Sequence, residues 1–156
     1  MHYSESKIAT LLKEQGHPVT FVPKPERKHN TSRVSESREQ QALMKWWDAW
    51  HKSQALHRNL LMAFPLQGAR TPRNGARMKR EGCRKGTPDM LLAVPRGGCH
   101  GLWIEMKAPD QLNTSDGGVS EEQWDILHAL NGQGYLTALT YSFGQAQDCI
   151  IKYLST

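Results

Sequence analysis

Cysteine is scarce: Cys83, Cys99 and Cys149 are the three in 156 residues, and no pair has C-x-x-C spacing. An odd, scattered set excludes a disulfide framework and a thiolate zinc site, and it predicts a reducing, cytoplasmic setting. There is no apolar run of about eighteen residues, so no membrane span is expected. The opening "MHYSESKIATLLKEQG" lacks the apolar core and small-residue cleavage site of a signal peptide. Internal repeats and low-complexity tracts are absent. The seven histidines form no H-x-x-x-H arrangement, which argues against a histidine metal centre.

What remains is an ordinary globular composition. The chain has the length of one domain, enough to bury roughly 70% of the surface it exposes when unfolded. Its apolar fraction is 38% and its formal net charge +5. The distribution of that charge carries more information than its size. Between Ala69 and Gly86, Arg70, Arg73, Arg77, Lys79, Arg80, Arg84 and Lys85 stand against one acid, Glu81. Such a block is either a solvated helix face or a surface that contacts phosphates.

Residues 1–34 read as an extension: a short helix over Ser6–Gln15, then a polar stretch with three prolines. The compact domain is expected over 35–156. "SESREQQALMKWWDAW" predicts a helix capped at Ser35 or Ser37, with acids in its first turn. Leu43, Trp46, Trp47 and Trp50 recur at helical spacing, with Glu39 on the row of Leu43 and with Glu36 and Gln40 on the row leading to Met44 and Trp47. A short strand is expected at Leu60–Phe64 and a basic helix at "PRNGARMKREG" with Gly82 as its stop. "SEEQWDILHALNGQG" carries a capping box, Ser120 with Gln123, and should bury Trp124 and Leu127. "YLTALTY" reads as a strand, and "FGQAQDCIIKYLS" as a final helix with Ala146, Ile150, Ile151 and Leu154 inward. The order α, β, α, β, β, α, β, α predicts an α/β fold with helices packed on a central sheet.

The chemistry concentrates in "GTPDMLLAVPRGGCHGLWIEMKAPD", Gly86 to Asp110. Two apolar runs flank a glycine turn, so a hairpin is expected. With Gly97 at its centre, Asp89 and Glu105 are equidistant and should face each other across the pair. Lys107, two residues on, projects to the face of Glu105; Leu102, Ile104 and Met106 project to the other. Charges on strands this apolar are costly unless something uses them. Two close carboxylates need a positive partner. Lys107 alone would make a structural ion-pair cluster. A hard divalent cation, its remaining positions filled by water and phosphate, is the other solution.

This stretch resembles the core of the VRR-NUC group of PD-(D/E)XK nucleases, whose pattern of Pro-Asp, hairpin, acid-x-Lys appears here as Pro88-Asp89 and Glu105-Met106-Lys107. The resemblance extends from "REQQALMKWW" and "ARMKREGCRKG" through "SEEQWDILHALNGQGY" to "AQDCIIKYL", about Ser35 to Leu154. It implies a restriction-endonuclease-like mixed central sheet flanked by helices. It also implies cleavage of DNA phosphodiesters with Mg²⁺ or Mn²⁺. The implied site is Asp89 and Glu105 as metal ligands, the Met106 carbonyl as a neutral one, Lys107 acting on the attacking water, and Gln123 positioning. The helix acid falls on Glu39, with Glu36 as rival. Glu39 also has a plain reading as a dipole partner, and Gln123 one as half of the capping box. "PLQG" at Pro65–Gly68 departs from the "PNGG"-like segment usual in the family.

The expected protein is therefore a divalent-metal-dependent DNA endonuclease. Its phosphate-holding surface would comprise Arg70, Arg73, Arg77, Lys79, Arg84 and Lys85. Branched or otherwise structured DNA, and a role in repair or recombination, follow from the resemblance alone. The alternatives are a sequence-specific restriction endonuclease of the same fold and a non-catalytic DNA-binding module. Three tryptophans within one short helix segment exceed one narrow stripe, which predicts a homodimer unless a wide apolar face takes them all.

Overall fold

The computed structural model describes residues 36–64, 72–113 and 117–156, with the backbone alone at 72–74 and 113. The expected extension over 1–34, the Ser35 cap, Arg70 and the "PLQG" segment lie outside the described residues.

Helix α1, Glu36–Trp50, begins with Glu36 and Glu39 and buries Leu43 and Trp47 completely. The Trp47 indole N–H donates to the carbonyl of Arg58 at 2.7 Å, so the largest core side chain also has its polar atom satisfied. Trp46 and Trp50 are half-buried against the same core and stack on each other at 4.7 Å. The tryptophan cluster thus spreads from the core to its rim. Two 3₁₀ turns, His51–Gln54 and Arg58–Leu60, lead into strand β1, Leu61–Ala63.

Helix α2, Pro72–Arg80, is the basic one. Gly82 follows it at φ 98°, and the Cys83 amide reaches back to the Met78 carbonyl at 2.9 Å. This left-handed residue ends the helix as glycine does best. Strands β2, Met90–Leu92, and β3, Leu102–Met106, form the expected hairpin. Arg96 and Cys99 exchange backbone hydrogen bonds around Gly97 and Gly98, whose φ values are 54° and 81°. Positive φ at both central residues marks a type I′ turn, the kind that suits strand twist.

Strand β4, Leu136–Thr140, lies parallel to β3, and helix α3, Glu121–Gly132, makes the crossover between them. The sheet order is β1-β2-β3-β4, with the first two pairings antiparallel. Helix α4, Phe143–Leu154, closes the chain. Leu102, Ile104 and Met106 meet α1 and α4 in one core with Leu43, Trp47, Ala146, Cys149 and Ile150. On the opposite face, α3 buries Leu127 and donates from Asn131 to the Thr137 hydroxyl at 2.7 Å. The architecture is a mixed sheet between helices, as the element order predicts.

Two inward assignments change. Ile151 is 38% exposed whereas Ile150 is fully buried, because only one of two adjacent helical residues can point at the sheet. Trp124 is half-buried beside His128, on the flank of α3.

Candidate active site

The β2–β3 register runs Met90 opposite Ile104, Leu91 opposite Trp103 and Leu92 opposite Leu102, centred on Gly97. One step further along that register, Asp89 stands opposite Glu105. The Asp89 carboxylate accepts the Met106 amide at 2.8 Å through Oδ2, bridging the hairpin at the residue between Glu105 and Lys107. Asp89 is 3% exposed, Glu105 0% and Lys107 5%. These charges are buried, so each needs a partner.

Lys107 Nζ lies 2.8 Å from Glu105 Oε1 and donates to Gln123 Oε1 at 3.1 Å. The Gln123 amide nitrogen donates to the same Glu105 oxygen. Gln123 is also the capping-box residue: its amide oxygen accepts the Ser120 N–H at 3.0 Å, and its own N–H donates to Ser120 Oγ at 3.3 Å. The two readings of Gln123 are thus one arrangement. The cap fixes the side chain that clamps the ion pair. Gly86, at φ 87°, packs against the backbone of Glu122 and Gln123, where a Cβ would come within 2.5 Å of the Glu122 carbonyl oxygen. The loop leading to Asp89 is thereby pressed onto the start of α3.

From the other side, β4 supports the end of β3. The Lys107 amide donates to the Thr140 carbonyl at 2.8 Å, and Thr140 Oγ1 reaches the Glu105 carbonyl at 3.4 Å. The Met106 side chain is fully buried in the core on the opposite face, so this residue serves the site through its backbone alone.

The helix acid is where structure and expectation part. Glu39 does not enter the site. Its Oε2 accepts the amide of Phe143, the first residue of α4. Glu36 lines a cleft of about 390 Å³ with Ser37, Gln40, Gln41, Met44, Phe64 and Asp89. Burial raises the Glu36 pKa, Asp89 raises it further and Lys107 lowers it. Glu36 therefore belongs electrostatically to the Asp89–Glu105–Lys107 group. The sequence held the signal. Glu39 shares its helical row with core-facing Leu43, and so meets the neighbouring helix; Glu36, Gln40 and Met44 share the row that lines the cleft. Ser37, expected as a possible cap, lies inside α1 and lines the cleft instead, as does Phe64 from just past β1; no motif marks either as a cleft residue.

The fit to a cation rests on one atom. Glu105 Oε2 is buried and has no hydrogen-bond partner. Among the described residues, no three His, Cys, Asp or Glu side chains are gathered tightly enough to enclose a metal by themselves. A short set of carboxylate oxygens, completed by water and substrate, suits a hard ion such as Mg²⁺ better than one that requires a full protein cage.

The basic residues lie elsewhere on the surface. Arg77, Lys79, Arg84 and Lys85 are exposed. Arg77 faces Glu81 at 3.6 Å, Arg84 donates to the Lys79 carbonyl at 3.3 Å, and Lys85 pairs with Glu122. The side chain of Arg73 lies outside the described residues.

Burial, then Asp89, push the Glu105 carboxyl up from its ordinary value of 4.5 to about 8, against the opposing pull of Lys107. A raised folded-state pKa means that the native protein holds a proton which the unfolded chain has released. Stability from this group is complete below about 4.5 and is lost as pH rises to about 8. Thermal unfolding of metal-free protein should show this decline between those values, and Glu105→Gln should flatten it. Parallel profiles for the two proteins would refute the assignment.

The VRR-NUC domain model matches residues 24–144. A solved structure described as a VRR_NUC domain protein superposes with a TM-score of 0.60 at 22% identity, covering 80% of this chain and 91% of that one. At that identity the likeness speaks for the fold. No curated protein matches the chain. With the family model spanning most of its length and the fold agreeing, this chain belongs to the VRR-NUC domain family, a family of nuclease domains.

Proposed function

We propose that the protein is a divalent-metal-dependent DNA endonuclease. The observation that carries this reading is the buried, unpartnered Glu105 Oε2 beside Asp89 and Glu36, with a lysine in hydrogen-bond contact with the other Glu105 oxygen. Asp89 and Glu105 would hold Mg²⁺ or Mn²⁺, with Glu36 lining the same cleft as Asp89 and the Met106 carbonyl as a neutral oxygen close by. The bound cation would acidify a water and offset charge growing on the phosphoryl group.

The chain's own part centres on Lys107. Two of its three N–H bonds are directed, toward Glu105 and Gln123. The third is left for a water or a phosphate oxygen. A cation held this firmly acts most where negative charge develops, in the transition state. Gln123 and Thr140 hold Glu105 and Lys107 in place through the contacts described above. The exposed Arg77, Lys79, Arg84 and Lys85 would grip the phosphate backbone, joined by Arg70 and Arg73. Branched or structured DNA is the substrate proposed from the family resemblance.

A panel of labelled single strands, duplexes, flaps and four-way junctions, each with Mg²⁺, Mn²⁺ or chelator, tests the whole reading. Asp89→Asn and Glu105→Gln should each weaken metal binding and remove most cleavage while the protein stays folded. Lys107→Ala should lower turnover on the order of 10²–10³-fold with metal and DNA binding retained. Wild-type cutting by both carboxylate variants, or unfolding of the lysine variant, would leave the cluster a structural ion pair.

Replacing Arg77 and Arg84 together by Ala should weaken DNA binding and lower its salt slope by about 0.9 for each phosphate no longer neutralised. Unchanged affinity and slope would make the block a solvated face.

A homodimer is proposed as well. It is supported by the resemblance and by the stacked, half-buried Trp46 and Trp50 at the rim of the core. Sedimentation at micromolar concentration should give the mass of two chains. A strict monomer that nicks junctions in pairs would retire the dimer.

A further inference from the structure

Glu39 has the chemistry of a ligand but the contacts of a latch. Its carboxylate receives the Phe143 amide at the first residue of α4. The first amides of a helix have no partner within it, and the dipole there favours an anion. Ser142 supplies the ordinary cap, accepting the Gln145 amide at 3.2 Å, so Glu39 takes a second orphan donor from outside the helix.

The location of this corner matters. It directly follows Thr140, whose carbonyl takes the Lys107 amide and whose hydroxyl reaches the Glu105 carbonyl. The Tyr141 amide is held by Gln145 Oε1 at 2.8 Å, which stiffens the link between β4 and α4. One short segment, 140–143, therefore grips the end of β3 with one hand and the first turn of α1 with the other. Glu36 sits in that same turn, ahead of Leu43, the first fully buried core residue of the helix. A helix end is where fraying costs least, and it is here that Glu36 lines the cleft it shares with Asp89.

We propose that Glu39 is a positioning residue: by latching the first turn of α1 to the β4–α4 corner, it holds Glu36 in register with Asp89, Glu105 and Lys107. The inference rests on the reading of those carboxylates as a cation site. It gives Glu39 no bond to the cation. What the latch needs is an acceptor oxygen, and the charge contributes only through the helix dipole.

Two variants separate latch from ligand. Glu39→Gln keeps an oxygen that can accept the Phe143 amide; Glu39→Ala does not. A third removes the donor instead. Phe143→Pro places proline at the first helical position, where it is tolerated, behind a Ser142 already extended at φ −159° and ψ 159°. In metal-free protein, hydrogen exchange over residues 36–42 should be faster in Glu39→Ala and Phe143→Pro than in wild type, and unchanged in Glu39→Gln. By calorimetry with Mn²⁺, the first two should bind about 10- to 100-fold more weakly, as when a residue supporting a ligand is removed, and Glu39→Gln should bind nearly as wild type does. Glu36→Gln should weaken Mn²⁺ binding without loosening Phe143–Gln145. Glu39→Gln binding as poorly as Glu36→Gln would make Glu39 a ligand and overturn the latch. So would exchange in Glu39→Ala that matches wild type. Wild-type protein that binds no Mn²⁺ would refute the cation site, and the exchange measurements would still decide whether the latch exists.

Discussion

The structure turns on a buried charge imbalance at the end of β3. Glu105 and Lys107 form an ion pair almost free of solvent, and a buried pair offsets its desolvation only when its other lone pairs and protons are met. Gln123 meets them on one side, giving its N–H to Glu105 and its oxygen to Lys107. Asp89 and Glu36 bring further carboxylates to the same neighbourhood, and both raise the Glu105 carboxyl. A protein in this position has two remedies, a proton or a cation. In the free chain burial and Asp89 push the Glu105 carboxyl up toward the first, to about 8, against the pull of Lys107. The unpartnered Oε2 is where the two remedies would exchange.

Much of this was legible because a hairpin obeys simple arithmetic. The Gly-Gly turn marks where the chain reverses, but it is centred half a residue past Gly97; the ladder itself is centred on Gly97, and that register opposes Asp89 and Glu105. A register slip of one residue would have sent them to opposite faces, which the buried run of Leu102, Ile104 and Met106 forbids. The helix acid had no such constraint. Glu36 and Glu39 both fall in the first turn of α1, on adjacent rows. Which row faces the site depends on how the helix packs against α4 and β3, and that is a tertiary fact. Ile151 is exposed for a related reason: an apolar side chain beside Ile150 does not say which of the two the sheet will take.

Gln123 shows a different limit. Sequence reasoning weighs a structural explanation against a functional one, as though either would exhaust the residue. A primary amide has an oxygen with two lone pairs and a nitrogen with two protons. Here one oxygen serves both the Ser120 amide and Lys107, and the nitrogen serves Glu105. The capping box is therefore a component of the site. Its rigidity passes from the start of α3 to the ion pair through one side chain, and Gly86 presses the Asp89 loop onto the same turn.

The electrostatics of the surface complete the division of labour. Among the described residues, Lys107 is the one buried Lys or Arg, and exposed positive charge is dense on α2 and the loop after it. There the cations are not idle in the free protein. Arg77 and Lys85 lean on Glu81 and Glu122, and Arg84 on a helix carbonyl. These contacts are solvent-exposed, and such pairs contribute little. They can keep long side chains near one surface yet yield them to phosphates at little cost. The buried pair has the opposite property: breaking it leaves a charge stranded, so it stays. A nuclease of this form would bind with contacts that release easily and do its chemistry with contacts that do not, and the sequence separates the two by placing one set on an exposed helix and the other at the end of a buried strand.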